Sequence, residues 1–140
     1  MALAAWLVKS EPSKYSWDDL VRDGSTYWDG VRNYQARNNL REMKVGDHLL
    51  YYHSNEGKEI VGIAKVTTPA YQDPTTDDDR WSVVDVAPVK PLKQPVTLEQ
   101  IKDDRALADI PLITQSRLSV MPIPKAAYAR ILKLGKTAAR

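Results

Sequence analysis

Residues 48–67, HLLYYHSNEGKEIVGIAKVT, decide the fold class. Two runs rich in Leu, Ile, Val and Tyr flank the turn residues Asn55–Lys58, which is the pattern of a β-hairpin. We therefore predict antiparallel strands over 48–53 and 59–67. Gly62, inside the second run, predicts either a bulge or a place where another group approaches the backbone closely.

Other short strands and helices surround this hairpin. The further predicted strands are 5–8, 81–87 and 118–121. Capping-box spacings (Ser16 with Asp19, Thr97 with Gln100) predict two short helices, and Pro124 predicts the start of a third. The remaining predictions are an end to the first helix at Gly24, a longer helix over 31–43 and a polar loop over 69–80. Strands scattered among unlike helices favour an α+β domain over 1–140, with a small curled sheet or partly closed barrel flanked by helices.

The composition excludes several functional classes. The 140-residue chain has no cysteine, which excludes disulfides, thiol catalysis and cysteine-ligated zinc. Its two histidines lack metal-binding spacing, so we expect no metal and no cofactor. No apolar run approaches the ~20 residues of a membrane-spanning helix. The net charge of +2 is too small to coat nucleic acid through field strength alone. We expect a cytoplasmic protein that is a monomer or a weak dimer.

The sequence also lacks the motifs of common enzymes. There is no nucleophile elbow and no glycine-rich phosphate loop. His53 and Ser54 are neighbours on a predicted strand, where adjacent side chains point to opposite faces. The acidic run 77–79 is typical of a solvated loop. We therefore expect no catalysis, and a small RNA-modifying or nucleotide-hydrolysing enzyme is disfavoured by the lack of a matched acid–base pair.

Aromatic residues cluster near the N-terminus. The chain has four Trp, seven Tyr and no Phe, and five of these rings lie within twenty residues: Tyr15, Trp17, Tyr27, Trp28 and Tyr34. Such rings either form the core or stack against flat ligands, and base–aromatic stacking is worth ~1–3 kcal/mol per base. Trp28 favours the second role, because polar residues crowd it. The basic residues Arg37, Arg41 and Lys44 share one helix face and either contact phosphates or face solvent.

Four runs resemble the EVE domain family of the PUA-like superfamily, which is related to YTH domains. They are WLVKSEP at 6–12, YSWDDL at 15–20, WDGVRNYQARN at 28–38 and YHSN at 52–55, and the resemblance spans about 5–134. It implies a PUA-like mixed pseudobarrel flanked by short helices. It also implies a pocket for one flipped-out nucleobase, without catalysis.

The resemblance implies a reader of a modified base, of the 5-methylcytosine or 5-hydroxymethylcytosine type in DNA or a modified base in RNA. The residues implied to border the base pocket are Lys9, Ser10, Trp28, Asn33, His53, Ser54, Asn55, Gln115, Ser116 and Arg117. Trp28 would stack, and replacing it by Ala would leave the fold intact. The candidates for phosphate contacts are Arg37, Arg41 and Lys44. Tyr71, in the loop expected after the hairpin, is the candidate for a second aromatic wall. The alternative is a pocket for a small heterocyclic metabolite or a free nucleoside.

Overall fold

The computed structural model describes residues 5–138, and their strands form a six-stranded mixed sheet in the order β2-β5-β4-β3-β1-β6. The strands are β1 Ala5–Ser10, β2 Thr26–Tyr27, β3 His48–His53, β4 Glu59–Gln72, β5 Ser82–Thr97 and β6 Val120–Ile123. The helices are α1 Trp17–Asp23, α2 Tyr34–Glu42, α3 Leu98–Asp103, α4 Pro111–Thr114 and α5 Lys125–Leu134, with a 3-10 turn at Arg105–Leu107. The predicted α+β class is confirmed.

The core of the sheet is the parallel pair β1 and β3, with Leu7 opposite Leu50 and Val8 opposite Tyr51. The other neighbouring strands of the described sheet are antiparallel. Four consecutive residues of each of these two strands are buried, as expected where both faces of a strand are covered. The chain between β1 and β3, which contains α1, β2 and α2, makes the crossover that a parallel pair requires.

The edges of the sheet, β2 and β6, do not pair with each other within residues 5–138, so the pseudobarrel is open. None of the helices in this range is long and apolar enough to cross a membrane. The predicted single domain over 1–140 includes residues 1–4 and 139–140, which lie outside the described part of the chain.

The local signals in the sequence are confirmed. Ser16 and Thr97 both form complete capping boxes, and α1 ends at Gly24 in the left-handed conformation. The hairpin turn bends through positive φ angles at Asn55 (65°), Gly57 (83°) and Lys58 (47°). These elements are fixed by contacts between residues a few positions apart.

Several predicted boundaries were wrong. The strand predicted at 5–8 extends to Ser10, and the strand predicted at 118–121 lies at Val120–Ile123. Helix α2 begins at Tyr34 rather than Val31, because Asn33 is its N-cap and accepts the amide of Ala36 at 2.9 Å. Strand β4 extends past residue 67 to Gln72, into the predicted loop. Strand β5 continues past residue 87 to Thr97 although it contains prolines. These prolines lie where the β4–β5 register shifts, and such irregular positions tolerate a missing amide proton.

Gly62 of β4 lies directly under the indole of Trp17, which begins α1. A Cβ at position 62 would stand 2.6 Å from the Trp17 ring. The predicted close approach is therefore confirmed, and the register of the β3–β4 ladder also shifts beside Gly62, between Tyr51 and Tyr52. This contact seats α1 on the sheet.

The loop between β4 and β5 is held by a buried carboxylate. The side chain of Asp73 is fully buried and accepts hydrogen bonds from Arg32 at 2.9 Å and from the Thr75 amide at 2.7 Å. Burial alone would raise the pKa of Asp73, but the hydrogen bonds from Thr75 and Arg32 outweigh it and lower that pKa. The loop is thereby tied to the segment that precedes α2.

We expect Gly62→Ala to lower the free energy of unfolding by about 1–3 kcal/mol, the usual cost of overpacking a dense core. Urea unfolding measures this. The matched double variant adds Trp17→Leu, which removes the ring that the new methyl group meets. The cost of Gly62→Ala should be smaller in that background. An equal cost in both backgrounds would contradict the contact.

We expect Asp73→Asn to destabilise the protein at pH 7 by about 1.5–3 kcal/mol, the range for hydrogen bonds to a charged group. Because the folded-state pKa is lowered, ionised Asp73 stabilises the fold above the ordinary Asp pKa of about 3.9. This contribution is lost as the pH falls through the folded-state pKa. Unfolding at pH 7, 5 and 3 should therefore show the two proteins converging in acid. The exposed substitution Asp109→Asn is the control, and a constant difference at all pH values would refute the prediction.

Candidate nucleic-acid interface

A cavity of about 600 Å³ opens where the end of β1, the hairpin tip and the segment around β2 meet. Three aromatic residues line it, Tyr15, Tyr27 and Trp28. The remaining lining residues are polar or small: Lys9, Ser10, Glu11, Lys14, Thr26, Asp29, Gly30, Ser54 and Ser119. The cavity therefore combines aromatic rings with hydroxyl, carboxylate and ammonium groups.

Trp28 belongs both to this cavity and to the core. Its side chain is only 8% exposed, and its ring meets the ring of Tyr51 edge to face at 5.4 Å. Its amide donates to the Val84 carbonyl at 2.8 Å, which fixes the backbone beside β5. Removing a buried Trp ring typically costs about 3–5 kcal/mol, so Trp28→Ala should destabilise the fold as well as remove a wall of the cavity.

Tyr51 of β3 organises the wall behind the cavity. Its ring is fully buried and contacts the rings of Trp17, Trp28 and His53, at centroid distances of 5.4 to 5.8 Å. Its hydroxyl donates to the Tyr15 carbonyl at 2.7 Å, and burial raises the pKa of that hydroxyl. The Tyr51 hydroxyl therefore stays protonated and holds the Tyr15 segment in place.

The Tyr15 carbonyl also fixes the end of β1. Ser10 donates its hydroxyl proton to Tyr15 O at 2.7 Å, and the carbonyl of Ser10 accepts the amide of Ser54 at 2.9 Å. Beyond this point, Asn55 donates to the Glu11 carboxylate, which also pairs with Lys14. Ser10 and Ser54 thus line the cavity with hydroxyl groups on a rigid backbone.

His53, expected at the base pocket, does not line the cavity. Its Nε2 accepts the amide of Trp17 at 3.0 Å, at the first turn of α1. Burial lowers the pKa of the imidazole, which keeps that nitrogen unprotonated and able to accept. His53 therefore holds α1 on the sheet.

Four other expected pocket residues lie in a separate cavity of about 300 Å³. They are Asn33, Gln115, Ser116 and Arg117, joined there by Gln35 and Leu118. Asn33 is also the N-cap of α2, so its Oδ1 is already engaged. The predicted pocket residues are thus divided between two neighbouring cavities. Between them lies a third, smaller cavity that includes Asn55 and shares Lys9 and Ser54 with the first and Ser116 with the second.

Tyr71, the candidate for a second aromatic wall, does not line this cavity. It lies on β4, outside the cavity lining, and its hydroxyl donates to Asp85 on β5. Burial and the Asp85 carboxylate raise the pKa of Tyr71 to about 12. The rings that accompany Trp28 are those of Tyr15 and Tyr27, which the density of aromatic residues in that stretch had indicated without assigning a role.

The three candidate phosphate-contacting residues, Arg37, Arg41 and Lys44, differ in whether they form hydrogen bonds within the protein. Arg37 and Arg41 both donate to the carbonyl of Arg80, at 3.1 and 3.3 Å, and Arg41 also donates to Ser82. Lys44 is exposed. Arg37 also donates to the Asn38 side chain, so the two arginines tie the β4–β5 loop to α2.

A second aromatic group lies beside these arginines. Tyr34 stacks on Trp81 with centroids 5.4 Å apart, and the Arg37 guanidinium lies 4.8 Å from the Tyr34 centroid. Arg32 and Arg80 each lie 5.5 Å from the Trp81 ring. These contacts bury Trp81 and stabilise the loop, while Tyr34 stays 51% exposed.

Comparisons with known proteins agree with this architecture. The model of the EVE domain family matches residues 4–134. Mouse thymocyte nuclear protein 1 is 37% identical, over 94% of this chain and 74% of its own length. A crystal structure of a protein from Agrobacterium tumefaciens has a TM-score of 0.96 at 42% identity, covering 98% of this chain and 96% of that one. The human THYN1 protein, solved in complex with DNA containing 5-methylcytosine, has a TM-score of 0.90 at 34% identity, covering 96% of this chain and 99% of that one.

Proposed function

This chain belongs to the EVE domain family, and from that premise we propose that it binds nucleic acid and recognises a modified nucleobase without catalysis. The observation that carries the proposal is the cavity of about 600 Å³ walled by Tyr15, Tyr27 and Trp28. The complex of the human relative with DNA containing 5-methylcytosine favours DNA and a modified cytosine. A single extruded base is the ligand that suits one aromatic cavity.

Stacking supplies affinity in this proposal. Extruding a base costs a few kcal/mol in a duplex and less in a single strand. Stacking on an aromatic ring returns ~1–3 kcal/mol per base. Trp28 is held edge-on by Tyr51, so its ring is oriented before a base arrives, which lowers the entropic cost of binding.

Polar groups around the aromatic wall would read the base edge. Cytosine presents an N4 amino donor, and carboxylates are suited to accept it. Asp29 is an exposed carboxylate in the cavity lining, and Ser10 and Ser54 offer hydroxyl groups on the fixed β1–hairpin junction. A methyl group on the base adds a contact worth only about 0.8 kcal/mol. Selectivity for the modification therefore depends on how closely the apolar wall fits it.

The absence of turnover is part of the proposal. Both histidines lie within the described residues, and each is engaged structurally: His53 accepts the amide of Trp17, and His48 contacts the Tyr128 hydroxyl at 2.7 Å. Neither lines the aromatic cavity. No group of three His, Asp or Glu side chains in residues 5–138 is arranged to hold a metal ion.

We expect Tyr27→Ala to weaken binding of a single-stranded oligonucleotide carrying one 5-methylcytosine by on the order of tenfold, through loss of one stacking surface. The matched control is Tyr71→Ala, because both tyrosines are largely exposed (43% and 38%) but only Tyr27 lines the cavity. Fluorescence anisotropy with labelled DNA and RNA oligonucleotides measures the affinities. Equal effects of the two substitutions would remove support for this cavity as the base site.

Lys44→Gln tests the basic surface on α2, since Lys44 is exposed and its replacement leaves the bonds to Arg80 intact. Each lost phosphate contact should weaken binding to all sequences and reduce the slope of log K against log salt by about one. Lys133→Gln, exposed on α5, is the control. A protein that binds only a free nucleoside or heterocyclic metabolite would show no such salt dependence in either variant.

A further inference from the structure

The small cavity between the two larger ones, of about 190 Å³, has a chemistry of its own. It is lined by Lys9, Tyr52, Ser54, Asn55, Lys58, Leu98, Leu112 and Ser116. Its lining includes two lysines, two serines and one asparagine, and no carboxylate. The aromatic cavity differs, because there Glu11 pairs with Lys14 at 3.1 Å and Asp29 adds a second carboxylate.

Lys9 stands at the boundary between these two cavities. Its Nζ donates to the Ser116 carbonyl at 2.8 Å and lies 5.9 Å from the centroid of the Tyr52 ring. An ammonium has three protons to donate, so two remain for a ligand. Its pKa is lowered by burial, a cost to the charged form that a neighbouring anion would offset.

Lys58, at the end of the hairpin turn, also lines the small cavity. Its backbone has a φ of 47°, and its carbonyl accepts the amide of Leu98 at 2.9 Å, which fixes its position against α3. Within residues 5–138, neither Lys9 nor Lys58 forms an ion pair with a carboxylate. In this range, therefore, no carboxylate lies within ion-pairing distance of either ammonium group, and Lys58 is exposed to solvent.

We propose that this small cavity is a phosphate subsite, in which Lys9 and Lys58, with the hydroxyl groups of Ser54 and Ser116, bind the phosphate of the nucleotide whose base occupies the aromatic cavity. The inference rests on the proposed function. Lys9 and Ser54 line both cavities, so one nucleotide can reach from one into the other. A phosphate has several acceptor oxygens, which suits converging ammonium and hydroxyl donors.

The phosphate subsite differs from the basic surface on α2. Arg37, Arg41 and Lys44 lie on or just after that helix and line neither cavity, so they can serve only neighbouring phosphates of a polymer. The subsite, in contrast, should act on a single nucleotide. A mononucleotide therefore isolates its contribution.

Calorimetric titrations with 5-methyl-2′-deoxycytidine and with its 5′- and 3′-monophosphates test the proposal at low salt. We expect one monophosphate to bind at least about tenfold tighter than the nucleoside. Lys58→Asn should abolish this gain while leaving nucleoside binding unchanged, because Lys58 lines the small cavity and not the aromatic one. Lys9→Gln should abolish the gain as well, measured against its own nucleoside affinity, since Lys9 also lines the aromatic cavity. Asn is chosen at position 58 because it tolerates a positive φ. Lys9→Arg, which keeps the charge, should retain most of the gain.

Lys14→Gln is the control, because Lys14 lines only the aromatic cavity and is already paired with Glu11. It should keep the phosphate gain. Thermal unfolding establishes that each variant is folded. If the nucleoside binds and neither monophosphate binds tighter, or if the gain survives in both Lys9→Gln and Lys58→Asn, the subsite is refuted and the proposed function stands. If none of the three ligands binds, both are refuted.

Discussion

The aromatic cavity depends on one buried side chain, Tyr51 of the central strand β3. Its ring supports Trp17, Trp28 and His53 by edge contacts, and its hydroxyl holds the carbonyl of Tyr15. Strand β3 pairs with β1 on one side and β4 on the other, so this side chain is positioned by the most constrained part of the sheet. Tyr51 thus connects the core of the sheet to the residues that form the cavity wall. A cavity wall built in this way needs little ordering when a flat ligand stacks on it.

The basic side chains of this protein act through short-range contacts rather than through a large net charge. With a net charge of +2, long-range attraction to a polyanion is weak. Arg37 and Arg41 tie the β4–β5 loop to α2 through the Arg80 carbonyl, so much of the basic surface also stabilises the fold. Lys9 and Lys58 are different, since the described residues place no carboxylate in an ion pair with them. Arg37 and Arg41 are thus partly engaged within the fold, whereas the proposed phosphate subsite uses two lysines that remain free to pair with an anion.

The features predicted from the sequence were those determined by nearby residues. The capping boxes at Ser16 and Thr97 and the hairpin turn each depend on contacts within about four positions. Gly62 was recognisable because glycine weakens an apolar strand and is favoured there where a bulge or a close neighbour leaves no room for a side chain. Its partner Trp17, 45 positions away in the chain, was not recognisable. The lengths of β4 and β5 were missed because their pairing absorbs prolines through register shifts, which depend on the partner strand.

The candidate site shows the same limit at a finer scale. The family resemblance named ten pocket residues, and the structure distributes them over adjoining cavities, with His53 used to hold α1. This division has an energetic consequence for a reader of modified bases. A methyl group contributes about 0.8 kcal/mol, which is roughly a fourfold change in affinity. A phosphate contact contributes equally to modified and unmodified nucleotides, so it raises affinity without changing this ratio. In the proposed function, discrimination would come from the fit of the base edge and its methyl group against Trp28 and its polar neighbours, and the proposed phosphate subsite would set how tightly the nucleotide is held.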